Sequence, residues 1–116
     1  EVDLYGQVNA EQIGTKYLGA IGGQIDFMHA ASTHQGGLSI IAMPASLGKS
    51  GRGRITDKLA GPLVTTARAD VDLVITEFGI ADLRGKTLHG RAHALIEVAL
   101  PEHRDRLLAS WKGLAV

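Results

Sequence analysis

Cysteine is absent from this 116-residue chain, so neither a disulfide framework nor a thiolate metal site is open to it, and a reducing cytoplasm is the expected setting. Net charge is absent as well. Twelve Lys and Arg stand against twelve Asp and Glu, which argues against a protein that holds nucleic acid by bulk electrostatics. Any anion bound here must be met by local groups. No apolar run reaches the length of a membrane span, no charged start with an apolar centre marks a secretory signal, and no repeat or low-complexity segment is visible. There is no initiator methionine: the chain opens on Glu1-Val2-Asp3-Leu4-Tyr5, already in strand-like alternation, and is expected to be a piece of a longer protein. Its length suits one domain with a real core.

What is present is glycine, fifteen residues in all, and its densest stretch is Leu18-Gly19-Ala20-Ile21-Gly22-Gly23, leading into a short helix from Gln24 with Ile25, Phe27, Met28 and Ala31 on one face. Paired glycines lack a Cβ and reach positive φ, so their N–H groups can converge on an anion or a polarised carbonyl oxygen. The plain alternative is a tight turn between a strand and a helix. Val2 to Tyr5 reads as a half-buried strand, Asn9 to Gly14 as a loop or helical turn, and the β-branched run Leu38 to Met43, closed by Pro44, as a buried strand. Residues 45 to 62 form a loop-rich centre with a short strand near Arg54-Ile55-Thr56. Leu63 to Thr66 and Val71 to Thr76 are two further strands, the second central in a sheet. Phe78 to Gly85 reads as a turn with a short helix ended by Gly85. Thr87 is an N-cap for a helix with Leu88, Ala92, Leu95, Ile96 and Ala99 at helical spacing. Pro101 opens a second helix that buries Leu107, Leu108 and Trp111. The sum is an α/β domain: an open, largely parallel sheet with flanking helices.

Two motifs fail on inspection. Gly48-Lys49-Ser50 resembles the end of a phosphate-binding loop, but that pattern needs a glycine five residues earlier, where Met43 stands, and a helix afterwards, where Gly51 and Gly53 stand. Lys49, Arg52, Arg54 and Lys58 can contact phosphates or form a solvated cationic loop. His89 and His93 have the spacing of two metal ligands on a helix, yet the intervening Gly90-Arg91-Ala92 lacks the glutamate of a zincin and no third ligand suggests itself, so no metal site is expected. His29, His34 and His103 make no triad with an identifiable serine. Glu77, at the carboxyl end of a buried strand, sits where open α/β sheets place their ligands. Desolvation there would raise its pKa and make it an acid, base or nucleophile; the alternative is a carboxylate that caps a helix or pairs with Arg84.

Four blocks then carry a resemblance: Glu1-Val2-Asp3-Leu4-Tyr5-Gly6-Gln7-Val8-Asn9-Ala10, Gly22-Gly23-Gln24-Ile25-Asp26-Phe27, Ile40-Ile41-Ala42-Met43-Pro44-Ala45-Ser46 and Val74 to Lys86. In this order they resemble the C-terminal domain of the acetyl-CoA hydrolase/transferase family, which includes 4-hydroxybutyrate CoA-transferase. The resemblance implies a fold of CoA-transferase type and a ping-pong transfer through an acyl-glutamyl anhydride and a glutamyl-CoA thioester, with the attacking glutamate upstream of this chain. It implies supporting roles for Asn9 and Glu77 in the active site, and a wall of Gly22, Gly23 and Gln24, with Arg54, against which CoA or the acyl group lies. The implied partners are an acyl-CoA, a small carboxylate, the N-terminal domain of the same protein and further copies in a dimer or tetramer, with no nucleic acid and no membrane. Coenzyme A is then a substrate and no cofactor is covalently bound. The alternatives are an acetyl-CoA hydrolase and a non-catalytic module for CoA binding or assembly. Three positions depart from the family pattern: Ala45-Ser46-Leu47 where Ser-Thr-Ala is common, Gly53 where a serine precedes the arginine, and Gly90 where a glutamate would complete a capping box with Thr87.

Overall fold

The computed structural model describes residues 1–112. Its strands are short and divided among four small sheets. β1 (Val2–Asp3) pairs in parallel with β7 (Ile55–Thr56). β2 (Gln12–Ile13) and β3 (Lys16–Tyr17) form an antiparallel hairpin, as do β5 (Ser46–Leu47) and β6 (Arg52–Gly53). The largest sheet orders β4 (Ile40–Ala42), β8 (Leu73–Thr76) and β9 (Gly79–Asp82), with β4 parallel and β9 antiparallel to the central β8. Three helices flank them: α1 (Gln24–Thr33), α2 (Leu88–Glu97) and α3 (Pro101–Lys112). The α/β class with flanking helices is thus found, with parallel pairing confined to β1–β7 and β4–β8.

The C-terminal helix pair is as the sequence spacing predicts. The Thr87 hydroxyl accepts the Gly90 N–H at 3.2 Å, Pro101 is the first residue of α3, and Ala92, Leu95, Ile96, Leu107 and Trp111 enter the core with Val2, Leu4, Val74, Ala81 and Leu83. Tyr5 meets the edge of the Trp111 ring at 5.6 Å between centroids.

Elsewhere tertiary context overrides the local pattern. Val2, Asp3 and Leu4 are all buried, so β1 is not half-buried. Asp3 is inside because its carboxylate closes the following turn, accepting from the N–H groups of Tyr5 and Gln7 at 3.0 and 2.9 Å and from Gln7 Nε2 at 2.7 Å. Asn9 to Gly14 runs into a hairpin rather than a helical turn, because Gly14 takes φ +57° at the bend. Phe78 to Gly85 holds β9, not a short helix: Glu77 and Phe78 form a two-residue turn, Gly79 takes φ +140°, and Ala81 and Leu83 then point inward with period two. Leu63 to Thr66 makes only an isolated bridge at Thr66, because Val8 meets it at a single point and the Thr65 hydroxyl is drawn away, accepting from the Ala10 N–H and donating to Glu11. β4 is an edge strand rather than a buried one, with Ile40 and Ala42 exposed. The helical face read for α1 is not a core face, since Met28 is buried and Phe27 is 79% exposed.

Candidate functional site

A cleft of about 470 Å³ opens between the β2–β3 hairpin, α1, β4 and the segment formed by β6 and the following Arg54. One side is apolar, formed chiefly by Ile40 to Met43 with Met28 from α1. The edge position of β4 explains this: an apolar strand paired with β8 on one side only lines a cavity on the other. The polar side comprises Glu1, Asn9, Gln12, Gln24, Arg52 and Arg54.

Asn9 is buried and its carboxamide is fixed by four hydrogen bonds. Its Oδ1 accepts the backbone N–H groups of Glu11 and Gln12 at 3.0 and 3.1 Å, an Asx-type turn that the sequence of a loop favours. Its Nδ2 donates to the Gln12 carbonyl at 3.1 Å and to Glu1 Oε1 at 3.3 Å. The second of these is the longest, and it is the proton that a ligand oxygen competes for most easily. Gln24 is anchored likewise, its Nε2 donating to Thr66 Oγ1 at 2.9 Å.

The four cations of the central loop separate by position. Lys49 and Lys58 are exposed, whereas Arg52 and Arg54 are half-buried in the cleft. Arg52 reaches Glu1 Oε2 at 3.4 Å, so its charge is partly answered. Arg54 is held by its backbone alone, donating to the Ala45 carbonyl and accepting from the Val2 N–H, both at 2.8 Å. Among the described residues no side chain answers its guanidinium, which leaves a positive site in a partly desolvated wall.

Gly22, Gly23 and Glu77 do not line this cleft. Gly22 takes φ +63° and Gly23 is the N-cap of α1 without a side-chain cap; both are exposed. Glu77 stands at the end of β8 and is also exposed, so the burial expected of it is absent in this chain. Its Oε2 accepts the N–H of buried Ala45 at 2.8 Å and so ties the β8–β9 turn to the segment after β4. Arg84 does not pair with it but with Asp82, at 2.9 and 2.6 Å, and these hydrogen bonds hold the Asp82 carboxyl down at about 2. Of the sequence candidates, the structure therefore gathers Asn9, Gln24 and Arg54 in one cleft and sets the glycine pair and Glu77 outside it.

Sequence reasoning missed Glu1 as a cleft residue, and it carried no signal: a carboxylate opening a strand reads as a solvated end. Arg52 was visible only as one member of a cation cluster. The His89 and His93 pair is accounted for otherwise. The rings lie 4.4 Å apart, and His89 Nδ1 accepts from Trp111 Nε1 at 3.0 Å. Among the described residues no group of three metal-binding side chains forms, and no helix is long and apolar enough to cross a membrane.

Comparison with known proteins matches residues 1–111 to the family model described as acetyl-CoA hydrolase/transferase C-terminal domain. The chain is 49% identical over 113 residues to a 4-hydroxybutyrate coenzyme A transferase of Clostridium kluyveri, covering 97% of this chain and 26% of that protein. It is 37% identical over 118 residues to an acetyl-CoA hydrolase of Yarrowia lipolytica, covering 94% and 21%. The solved structure of a 4-hydroxybutyrate CoA-transferase from Porphyromonas gingivalis superposes with a TM-score of 0.77 at 37% identity, over 97% of this chain and 24% of that one. The chain thus spans about a quarter of the length of such relatives.

Proposed function

Because this chain belongs to the acetyl-CoA hydrolase/transferase C-terminal domain family, we propose that it forms one wall of the active site of a CoA-transferase whose attacking glutamate lies in the remainder of the full-length protein. The carboxylate attacks the thioester carbonyl of an acyl-CoA, the C–S bond breaks, and CoA leaves as the thiolate. The thiolate then attacks the glutamyl carbonyl of the anhydride, which releases the donor acid and leaves glutamyl-CoA. An acceptor carboxylate runs the same steps in reverse.

This chain's part is to hold, orient and shield. The observation that carries the reading is the two-sided cleft, with an apolar wall for the acyl or pantetheine chain facing an immobilised carboxamide and an unanswered guanidinium. Asn9 Nδ2 supplies a fixed donor to a carbonyl oxygen that gains negative charge, and a donor that need not reorganise is worth several kcal/mol at about 2.7–4 kcal/mol each in comparable sites. Arg54 attracts the carboxylate or a phosphate of CoA. The exposed Gly22 and Gly23, and Glu77 at the end of β8, close the thioester-facing wall against the rest of the protein. Ten large apolar side chains are exposed among the described residues, Tyr17, Leu18, Ile21 and Phe27 among them, and this surface is where the N-terminal domain, and neighbouring copies in a dimer or tetramer, would pack. The cytoplasm is the expected site of action.

The test is CoA exchange by the full-length protein between an acyl-CoA and a free carboxylate, with mass spectrometry for CoA linked to a glutamate outside residues 1–116. Robust exchange by the 116-residue chain alone would overturn the placement of the nucleophile. The similarity to an acetyl-CoA hydrolase supports a second reading, in which water takes the place of the acceptor. It predicts thiol release that does not depend on added carboxylate.

A further inference from the structure

The wall that carries Arg52 and Arg54 is one residue thick at Gly53. On one side Gly53 lines the cleft. On the other it lies against α3: a Cβ built on Gly53 would stand 2.6 Å from His103 Nδ1 and 3.2 Å from its Cε1. In an extended strand alternate residues face opposite ways, so the direction of this missing side chain toward α3 is what turns the arginines on either side of it toward the cleft. Gly53 is not among the glycines with positive φ. Its φ therefore lies outside the left-handed region, and what stands in the way of a side chain is the imidazole behind it.

α3 backs this segment at a second point seven residues further along the helix, where Ser110 Oγ donates to Asp57 Oδ2 at 3.0 Å. The residues 53 and 57 that meet the helix lie on the same face of the chain, and 103 and 110 on the same face of α3. The His103 Nδ1 atom is itself buried and, among the described residues, has no hydrogen-bond partner. No polar group among the described residues holds this edge of the ring, so its position there is a matter of packing.

We propose that His103 is a positioning residue for the substrate cleft, setting through its contact with Gly53 how far Arg52 and Arg54 reach into it. This rests on the cleft being the substrate site proposed above. A Cβ at position 53 must open the contact by about 1 Å to reach an ordinary separation of about 3.5 Å. The strand has the open cleft before it and behind it a half-buried ring whose Nδ1 edge is enclosed, so it yields toward the cleft and takes both guanidinium groups with it. Misplacement on this scale costs between about fivefold and a hundredfold in the use of substrate.

The experiment uses the full-length protein with Gly53→Ala, His103→Ala and the two together. Gly53→Ala is expected to raise KM for the carboxylate or the acyl-CoA by at least about fivefold with a smaller change in kcat, and the double variant to return KM to within about twofold of His103→Ala. A Gly53→Ala protein with KM within about twofold of the parent overturns the proposal, and so does a double variant as impaired as Gly53→Ala alone. A crystal structure of the Gly53→Ala protein reads the same point without activity: displacement of Arg54 toward the cleft supports it, and an unmoved Arg54 beside a rotated His103 refutes it. If the parent exchanges CoA with no pair of substrates, the proposed function fails while this structural reading still stands or falls.

Discussion

Replacing Arg91 by alanine should cost this domain about 3 kcal/mol, because one guanidinium there serves three backbone carbonyls. Arg91 Nε donates to the Tyr5 carbonyl at 3.0 Å, Nη1 to Leu83 at 3.1 Å and Nη2 to Arg68 at 2.6 Å. It thereby joins the turn after β1, the end of β9 and the turn before β8. Burial, with the nearby Arg68 charge, lowers the Arg91 pKa from its ordinary value, yet an arginine stays charged at any working pH. A hydrogen bond to a charged group contributes about 1.5–3 kcal/mol. The bond to Arg68 is exposed and is discounted, and the two part-buried bonds at the lower end of that range give about 3 kcal/mol. With an unfolding entropy of about 2.1 cal/mol/K per residue, the midpoint should fall by about 12 °C. Lysine offers a single point charge that cannot serve three diverging carbonyls and should recover less than half of the loss. Trp111, the sole tryptophan and buried in the same core, reports the transition in urea. A loss below about 1 kcal/mol, or full recovery by lysine, would refute the assignment of Arg91 as a three-way clamp.

Three further outcomes follow from single contacts. Glu77→Ala in the full-length protein should lower CoA exchange more than tenfold on the order expected for a lost active-site group, whereas Glu77→Gln keeps an acceptor for the Ala45 N–H; full activity in the glutamine variant would reduce Glu77 to its structural bond. The Asp82 carboxyl, held at about 2 by Arg84, contributes stability that is present above the unfolded value of about 3.9 and is lost as pH falls from there through about 2. Carboxyl NMR should show its midpoint rising toward about 4 in Arg84→Ala, and a midpoint already near 4 in the parent would contradict the pair. Gly90→Ala should raise stability by about 1 kcal/mol, since a Cβ there meets Lys86 and Thr87 only at 3.4 to 3.5 Å; thermal melting that shows no gain would mean that the first turn of α2 needs the glycine.

The parts that were legible in the sequence are those where a local rule and the global packing agree. Thr87, Pro101 and the spacing from Leu88 to Trp111 specify α2 and α3 because cap, proline and apolar period all point the same way. Val71 to Thr76 reads as a central strand and is one. The failures share a cause, which is that a non-local partner decides. β9 exists because Gly79 lets the chain fold back on β8, and Ile80 to Asp82 then take its register, where the sequence alone offers a glycine-bounded segment of helical length. Asp3 is buried by its own turn, and Ile40 to Met43 are apolar for the cleft they line.

The site is assembled by contacts that no local pattern carries. Asn9 and Arg54 are ordinary residues by type, and no spacing rule links positions 45 residues apart in the chain. They meet because Val2 pairs with Ile55 and carries the turn of Asn9 alongside the strand that follows β6. Among the described residues the one carboxylate that lines the cleft is Glu1, and it is engaged by Arg52, Asn9 and the Ala60 N–H. A cleft with fixed donors, a free cation and an apolar wall, whose own carboxylate is fully occupied, is built to hold a reacting group and not to attack it. On the function proposed above, the chemistry of transfer is shared across a boundary, and the apolar side chains left exposed around α1 and the β2–β3 hairpin are where its other half would pack.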